Sequence, residues 1–285
     1  MIRKSQFAGM FYPTDFQKLE SQIKDCFTHK FGPGELPISK RQGELKAVIL
    51  PHAGYIYSGP CAAWGYKEIA ESELPDVFIV IGTGHSTPLT CLSTDDFETP
   101  FGIIKNDNVL TGLLEKQGIK DYKTAHAEEH SIEAQLPFLQ FACREKMKEI
   151  KFVPVVIGQE DPGMIADKIS CALKEYGKKI MLIVSSDFTH YGENFGYVPF
   201  VYNVKEEMYN LDKKAIKFIL DMDTDGFIKE CDDTGATICG RNAIAVMLKL
   251  FEDKGYKASL LQYYTSGDIV DDYSSAVGYA TITIK

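Results

Sequence analysis

Four short apolar runs constrain the fold of this chain more than any other feature. They are LKAVIL at 45–50, DVFIVIG at 76–82, KFVPVVIG at 151–158 and KIMLIVSS at 179–186. They are rich in valine and isoleucine and do not alternate apolar with polar residues, which is typical of strands buried on both faces of a parallel sheet. Helical stretches separate the runs, so we predict an α/β fold with a mainly parallel central sheet covered by helices on both faces.

The remaining segments predict the elements around this sheet. A first helix should follow Pro13, with Thr14 or Asp15 as its N-cap and one apolar face made of Phe16, Leu19, Ile23 and Phe27. Further helices are predicted at 58–72, 129–147, 161–177, 204–220 and 240–254, and two extended pieces around a turn at 91–107. Late strands at 258–266 and 276–284 would make the sheet mixed. Without a repeat or a low-complexity linker, residues 1–285 are predicted to form one domain.

Composition excludes several classes of function. The formal net charge is −9, and no basic cluster is present that could neutralise a nucleic-acid backbone. No apolar run approaches the roughly 20 residues that cross a bilayer, and the N-terminus lacks the pattern of a signal peptide. The seven cysteines include no CxxC pair, which predicts reduced thiols and a cytoplasmic location. We therefore expect neither nucleic acid nor a membrane as a partner.

Polar side chains follow three of the four apolar runs. His52 comes after the first run, His85 after the second, and Asp187 and His190 after the fourth. Ligands of open α/β sheets bind at the carboxyl ends of the strands, so these side chains predict one shared site. The alternative is that each histidine caps its own strand or bonds a loop.

A transition metal is a natural reason for neutral imidazoles to converge. Two histidines need a third ligand, and the candidates are Asp187, Glu129, Glu133, His130 and a cysteine. Cys239 precedes an apolar helix, where the helix start and nearby Arg241 would favour a thiolate. Packing under that helix start is the other interpretation of Cys239, and spacing alone does not choose between them.

The EEHSIEAQ segment at 128–135 is a second concentration of polar residues. His130 and Glu133 are three residues apart and would share a helix face. They could support the metal ligands or contact a substrate, or they could lie in an exposed first helical turn. Tyr55 is a further residue that could line the pocket.

Six segments, in this order, resemble the Memo protein family: PHAGYIYSG, GTGHSTPL, EEHSIEAQLPF, VPVVIG, VSSDFTHYG and TICGRNAI. The resemblance extends from FAGMFYP to YSSAVGYATI and implies a fold similar to that of the class III extradiol dioxygenases. It implies a metal site of His52, His85 and Cys239, with Asp187 and His190 in the same pocket. Extradiol enzymes use a carboxylate where this family has the cysteine. The softer thiolate makes iron or copper our first expectation for the ion, with zinc as a third choice.

Two functions follow as hypotheses. The first is a metal-dependent, dioxygenase-like redox enzyme in which His190 is the acid/base and Asp187 fixes its tautomer through a hydrogen bond. The second is a non-catalytic binding module, since animal members of the family are adaptors that bind phosphotyrosine peptides. The expected partner is thus a small molecule or a peptide, and the sequence indicates no oligomeric state.

Overall fold

A twelve-stranded sheet organises the structure, a computed structural model that describes all of residues 1–285. Its strands, in chain order, are β1 (Ile2–Arg3), β2 (Ala47–Leu50), β3 (Val77–Thr83), β4 (Cys91–Leu92), β5 (Asp96–Thr99), β6 (Gly102–Asn106), β7 (Lys120–Asp121), β8 (Lys151–Ile157), β9 (Ile180–Ser185), β10 (His190–Gly192), β11 (Ala258–Thr265) and β12 (Ser275–Ile284). All four apolar runs and both late strands are therefore confirmed as strands.

Eleven α-helices surround the sheet. They are α1 (Phe16–Thr28), α2 (Tyr55–Glu71), α3 (Asn108–Lys116), α4 (Lys123–Ala127), α5 (His130–Glu133), α6 (Leu136–Ala142), α7 (Pro162–Tyr176), α8 (Val204–Leu220), α9 (Thr224–Thr234), α10 (Arg241–Phe251) and α11 (Ser266–Val270). No helix combines the length and the apolar character needed to cross a bilayer.

The strand order places three strand ends side by side. Along the sheet the order is β1-β5-β6-β8-β3-β9-β2-β12-β10, with β11 paired to β12, and β4 paired to β8 and β7. The central strands β6, β8, β3, β9 and β2 are parallel, whereas β12 is antiparallel to β2. The prediction of a mainly parallel sheet with mixed pairing is confirmed. Because β9 lies between β3 and β2, the carboxyl ends of these three strands are neighbours.

Alternate residues of each central strand enter different cores. On β2, Ala47 and Ile49 pack in a cluster that includes residues of α3, α7 and α10. Val48 and Leu50 pack in a second cluster with residues of α1, α2 and α6. Both faces of the sheet are thus covered by helices, as predicted, and this explains why the strands lack polar alternation.

The first helix agrees with its predicted cap and core face, with one exception. Asp15 is the N-cap, and its side chain accepts a hydrogen bond from the backbone N–H of Lys18 at 2.9 Å. Leu19, Ile23 and Phe27 are buried. Phe16, which was assigned to the same face, is half exposed and packs edge-on against Phe101.

The predicted continuous helix at 129–147 is wrong. The segment forms α5, α6 and a short 3₁₀ turn at Arg144–Lys146. Pro137 explains the break, because its ring nitrogen has no hydrogen to donate to the carbonyl of Glu133 one turn earlier. Helix α9 was not predicted, because its buried side chains are only Thr224, Phe227 and Cys231, too few for a clear apolar stripe. The helix predicted at 58–72 begins earlier, at Tyr55.

Candidate metal centre

The strand ends bring the predicted polar residues to one edge of the sheet. His52 lies two residues beyond the end of β2, His85 two residues beyond β3, and Asp187 two residues beyond β9. His190 begins β10, three residues after Asp187, and its backbone N–H and ring are held by Thr237, two residues before Cys239. His52 and His85 therefore flank the central strand β9, although they are 33 positions apart in the chain.

Three histidines form a group with the spacing of metal ligands. His52, His85 and His130 each offer one atom, and these atoms lie within 4.8 Å of one another. The rings of His85 and His130 are stacked with their centroids 4.7 Å apart, and the ring of His52 meets both edge-on. His130, which the sequence offers both as a third ligand and as a supporting residue, is thus a candidate ligand. Imidazole is a common ligand of transition metals, so the donor set fits such an ion.

His130 reaches this edge because α5 packs closely on β3. A Cβ atom at Gly82 would lie 2.6 Å from side-chain atoms of both Ser131 and Ile132, a separation that real Cβ atoms do not show. Glycine is therefore required on the strand for the helix to approach. Without that approach His130 could not join the other two histidines.

The hydrogen bonds of His52 fix which ring nitrogen faces the site. Its Nδ1 lies 2.9 Å from the hydroxyl oxygen of Ser185, and that hydroxyl donates its own proton to the carbonyl of Ser131 at 2.6 Å. The Ser185 oxygen must therefore accept from Nδ1–H of His52. Nε2 then carries the lone pair, which is the state that binds a metal.

Glu129 gives His85 the same orientation. Its carboxylate accepts from Nδ1–H of His85 at 2.9 and 3.1 Å, and also from the backbone N–H of His85 and of Ser131. Burial alone would raise the pKa of Glu129, but the hydrogen bonds that it accepts from His85 and Ser131 lower it to about 2. The carboxylate is thus ionised, and Nε2 of His85 is free to bind a metal.

The environment keeps two of the imidazoles neutral. Burial, together with the neighbouring His85, lowers the pKa of His52 to about 3. Burial, together with His52, lowers the pKa of His130 to about 4. At neutral pH both rings are uncharged, which is the form that coordinates metals.

Cys239 lies beside His52, with its Sγ 3.3 Å from Nε2 of that ring. The half-buried sulfur accepts a hydrogen bond from the backbone N–H of Asp187 at 3.1 Å. Burial raises the pKa of the thiol, and Arg241 does not offset this because its guanidinium pairs with Asp232 at 2.7 Å. The expectation that Arg241 stabilises a thiolate is wrong. Cys239 can ionise readily only when a cation binds beside it.

The predicted hydrogen bond between Asp187 and His190 is absent. Oδ1 of Asp187 accepts from the backbone N–H groups of His52 and Ala53, at 2.8 and 3.4 Å. Nδ1 of His190 instead donates to the carbonyl of Thr237 at 3.0 Å. A carbonyl only accepts, so His190 carries its proton on Nδ1 and leaves Nε2 free. Asp187 thus belongs to the His52 loop, and Thr237 fixes the tautomer of His190.

Glu133 and Tyr55 have structural partners that remove them from substrate contact. Glu133 is fully buried and accepts hydrogen bonds from Tyr12 and from the backbone of the N-terminal segment. Tyr55 is also buried, and its hydroxyl donates to the carbonyl of Ala134 at 2.6 Å. Both residues support the segment that carries His130.

Ser185 and Thr237 hold His52 and His190, and neither was predicted as a site residue. Ser185 is the last residue of β9, two positions before Asp187, and its position at a strand end could have indicated a site residue. Thr237 holds the ring of His190 through its backbone carbonyl and the backbone of His190 through its hydroxyl, across 47 positions that no local pattern connects. Glu129 was considered as a ligand, whereas the structure makes it the hydrogen-bond partner of one.

The fold and the strand-end histidines define an α/β protein with a candidate metal centre, and comparison identifies its family. The family model for Memo-like proteins matches residues 3–283, so the chain belongs to the Memo family. A MEMO1 family protein of Pyrococcus furiosus is 38% identical, and one of Methanopyrus kandleri is 35% identical; each alignment covers 100% of this chain and 99% of the relative. The crystal structure of an uncharacterised protein from Escherichia coli K12 matches with a TM-score of 0.50 and 14% identity, over 85% of this chain and 100% of that one. That likeness concerns the fold alone.

Proposed function

We propose that this protein is a metal-dependent, dioxygenase-like redox enzyme that acts on a small hydroxylated substrate. The observation that carries the proposal is the orientation of His52 and His85. Each donates its Nδ1 proton to a built-in acceptor, so that Nε2 is available at the same strand-end edge. Such orientation of both rings is what a metal centre needs, and a binding pocket for an organic ligand does not require it.

In this proposal His52, His85 and Cys239 hold the ion, and His130 is a further candidate. Imidazole and thiolate donors suit iron or copper first and zinc as a third choice. When bound, the ion would supply positive charge and open positions for a substrate oxygen and dioxygen. The resemblance in fold to the class III extradiol dioxygenases belongs to the same proposal.

His190 is the proposed acid/base. Its Nδ1–H is held by Thr237, so the lone pair on Nε2 can take the proton of a substrate hydroxyl. Asp187 is assigned a different role from the one expected, because its carboxylate holds the backbone of His52 and Ala53.

All seven cysteines are free thiols, which supports the reducing cytoplasm as the compartment.

Metal stoichiometry under matched loading tests the metal site. His52→Ala and Cys239→Ser are each expected to lower the bound iron or copper. The controls are His29→Ala, at the end of α1, and Cys171→Ser, an exposed thiol. Wild-type metal content in both site variants would refute the ligand assignment. His130→Ala tests whether that ring is a ligand, since wild-type metal content in this variant would exclude His130 from the ligand set.

Oxygen uptake with catechol-like compounds tests the enzyme. Turnover that His190→Ala abolishes while the metal is retained would support the proposed role of His190. Acid/base groups contribute about 10²- to 10⁴-fold in rate, so the loss would be clear. Metal binding without any oxygen uptake would favour the alternative, a non-catalytic module that binds a peptide or an anion in the same pocket.

A further inference from the structure

Arg3, near the N-terminus, contacts the segment that leads into the candidate metal centre. Its guanidinium donates to the backbone carbonyls of His126, Ala127 and Glu129, at 2.8, 3.4 and 3.2 Å. It also pairs with Glu133 and lies over the ring of Phe97. Arg3 is almost fully buried, with 8% of its surface exposed. One side chain therefore joins the whole loop 126–129 to the helix that follows it.

The loop that Arg3 holds contains Glu129, which orients His85, and leads directly into His130. Glu129 bonds Nδ1 of His85, and the next residue, His130, is a member of the histidine group. His126 and Ala127 are the last residues of α4 and Glu129 is the N-cap of α5, so these three carbonyls lie where one helix ends and the next begins. The planar, five-donor guanidinium matches such a set, whereas a lysine ammonium would not reach all of it in one geometry.

Glu133 fixes Arg3 and the N-terminal arm, which we define as residues 4–12. The buried carboxylate accepts from the backbone N–H of Gln6 at 3.0 Å, from that of Phe7 at 2.9 Å, and from the hydroxyl of Tyr12 at 2.6 Å. A carboxylate buried in this way is stable because it has both an ion pair and several hydrogen-bond donors. The arm is thus hydrogen-bonded to α5 through the side chain of Glu133.

The arm also contacts the ligand group directly. The ring of Phe11 stacks on His130 with 4.6 Å between centroids, and Phe7 meets the same ring edge-on at 5.6 Å. Since His130 stacks in turn on His85, the three rings form a continuous column. The N-terminal arm therefore forms one wall of the site.

We infer that Arg3, fixed by Glu133, is a positioning residue of the metal centre. It orders the loop that bears Glu129 and sets His130 against the arm. The inference rests on the proposed function, because the ion gives this arrangement its purpose. Neither Arg3 nor Glu133 would touch the ion or a substrate, and both would act through His85 and His130.

The sharpest variant is Arg3→Lys in the full chain. It retains the charge that pairs with Glu133 and removes the fork that serves the three carbonyls. Arg144→Lys is the matched control, because Arg144 also lies over a phenylalanine ring but is exposed and remote from the loop. Co²⁺ is the probe ion, since its absorption spectrum reports ligand geometry as well as binding. We expect the Kd for Co²⁺ to rise about tenfold in Arg3→Lys, with an altered spectrum, and to be unchanged in the control.

Hydrogen exchange supplies two further readouts. One uses the ion-free variant, and the other uses the wild type with Co²⁺. Amides of residues 126–130 should exchange faster in ion-free Arg3→Lys than in the wild type. In the wild type, Co²⁺ should slow the exchange of the Gln6 and Phe7 amides, because coupling between the arm and the centre is reciprocal. This measurement on the wild type tests the coupling between the arm and the metal centre even if Arg3→Lys does not fold.

The outcomes separate the inference from the proposed function. Unchanged Co²⁺ affinity, spectrum and loop exchange in folded Arg3→Lys would overturn the positioning role and leave the metal site standing. Unchanged exchange at Gln6 and Phe7 on loading the wild type would also overturn it. If the wild type takes up no ion, the proposed function fails, and loop exchange in Arg3→Lys still decides whether Arg3 orders the loop.

Discussion

Replacing Glu129 by glutamine is the most direct test of how the structure prepares His85 for a metal. The two carboxylate oxygens accept from three N–H groups: Nδ1–H of His85, the backbone N–H of His85 and the backbone N–H of Ser131. A glutamine amide has only one acceptor oxygen, and its NH₂ group would face a donor on the other side. At least one N–H group of the variant must therefore lose its acceptor.

Glu129→Gln should therefore lose both folding stability and metal affinity. A buried donor without an acceptor costs about 1–3 kcal/mol in the free energy of unfolding. Removing the hydrogen-bond partner of a metal-bound histidine typically costs about 10- to 100-fold in metal affinity, or roughly 1.4–2.7 kcal/mol of binding free energy. We expect Glu129→Gln to show both effects.

The assay measures the two losses independently. Denaturant unfolding of the ion-free protein gives the change in stability, and titration with Co²⁺ gives the change in Kd. Glu128→Gln is the control, because Glu128 is the preceding residue, carries the same charge and is exposed. A Kd within twofold of the wild type for Glu129→Gln would refute the argument that Glu129 selects the ligand nitrogen of His85.

Three further predictions test other parts of the structure. Ser185→Ala removes the acceptor of Nδ1–H of His52, so Co²⁺ titration should show a Kd about tenfold higher, and an unchanged Kd would contradict the tautomer assignment. Burial raises the pKa of Asp212 from 3.8 to about 6, so ionisation of this one side chain should cost roughly 3 kcal/mol of stability as pH rises through this interval, against the gain from the neutral imidazoles of His52 and His130. Denaturant unfolding at pH 4 and pH 7.5 should show stability rising more with pH in Asp212→Asn than in the wild type, and an equal change in both proteins would reject Asp212 as the source. Gly240→Ala places a Cβ 2.4 Å from that of Ser186, so unfolding should reveal a loss of about 1–3 kcal/mol, and no loss would contradict the close packing beside Cys239.

The sheet and part of the site could be predicted because they depend on local patterns. A strand buried on both faces needs an unbroken apolar run, and the four runs showed this directly. The carboxyl ends of parallel strands then share an edge, which placed His52 and His85 together before any coordinates were known. Boundaries that depend on one backbone group, such as the break before Pro137, were lost within a longer helical pattern.

Long-range partners were beyond what the sequence could show. Arg3 and Glu133 are 130 positions apart, and neither lies in a segment whose pattern points to the other. His130 joined the ligand group only because Gly82 lets α5 approach β3, a contact of packing that spacing does not encode. To place Arg3, Glu133 and His130 at the site, the relative positions of the N-terminal segment, α5 and β3 must be known together.

The wrong pairing of Asp187 with His190 shows why closeness along the chain misleads at this edge of the sheet. Neighbouring strands lie about 4.8 Å apart, whereas three residues of extended chain span about 10 Å. A side chain at the end of β9 is therefore nearer to the ends of β2 and β3 than to its own chain three residues later. Asp187 accordingly bonds the loop after β2, 135 positions away. In a parallel sheet, the partner of a strand-end residue should first be sought on the adjacent strands.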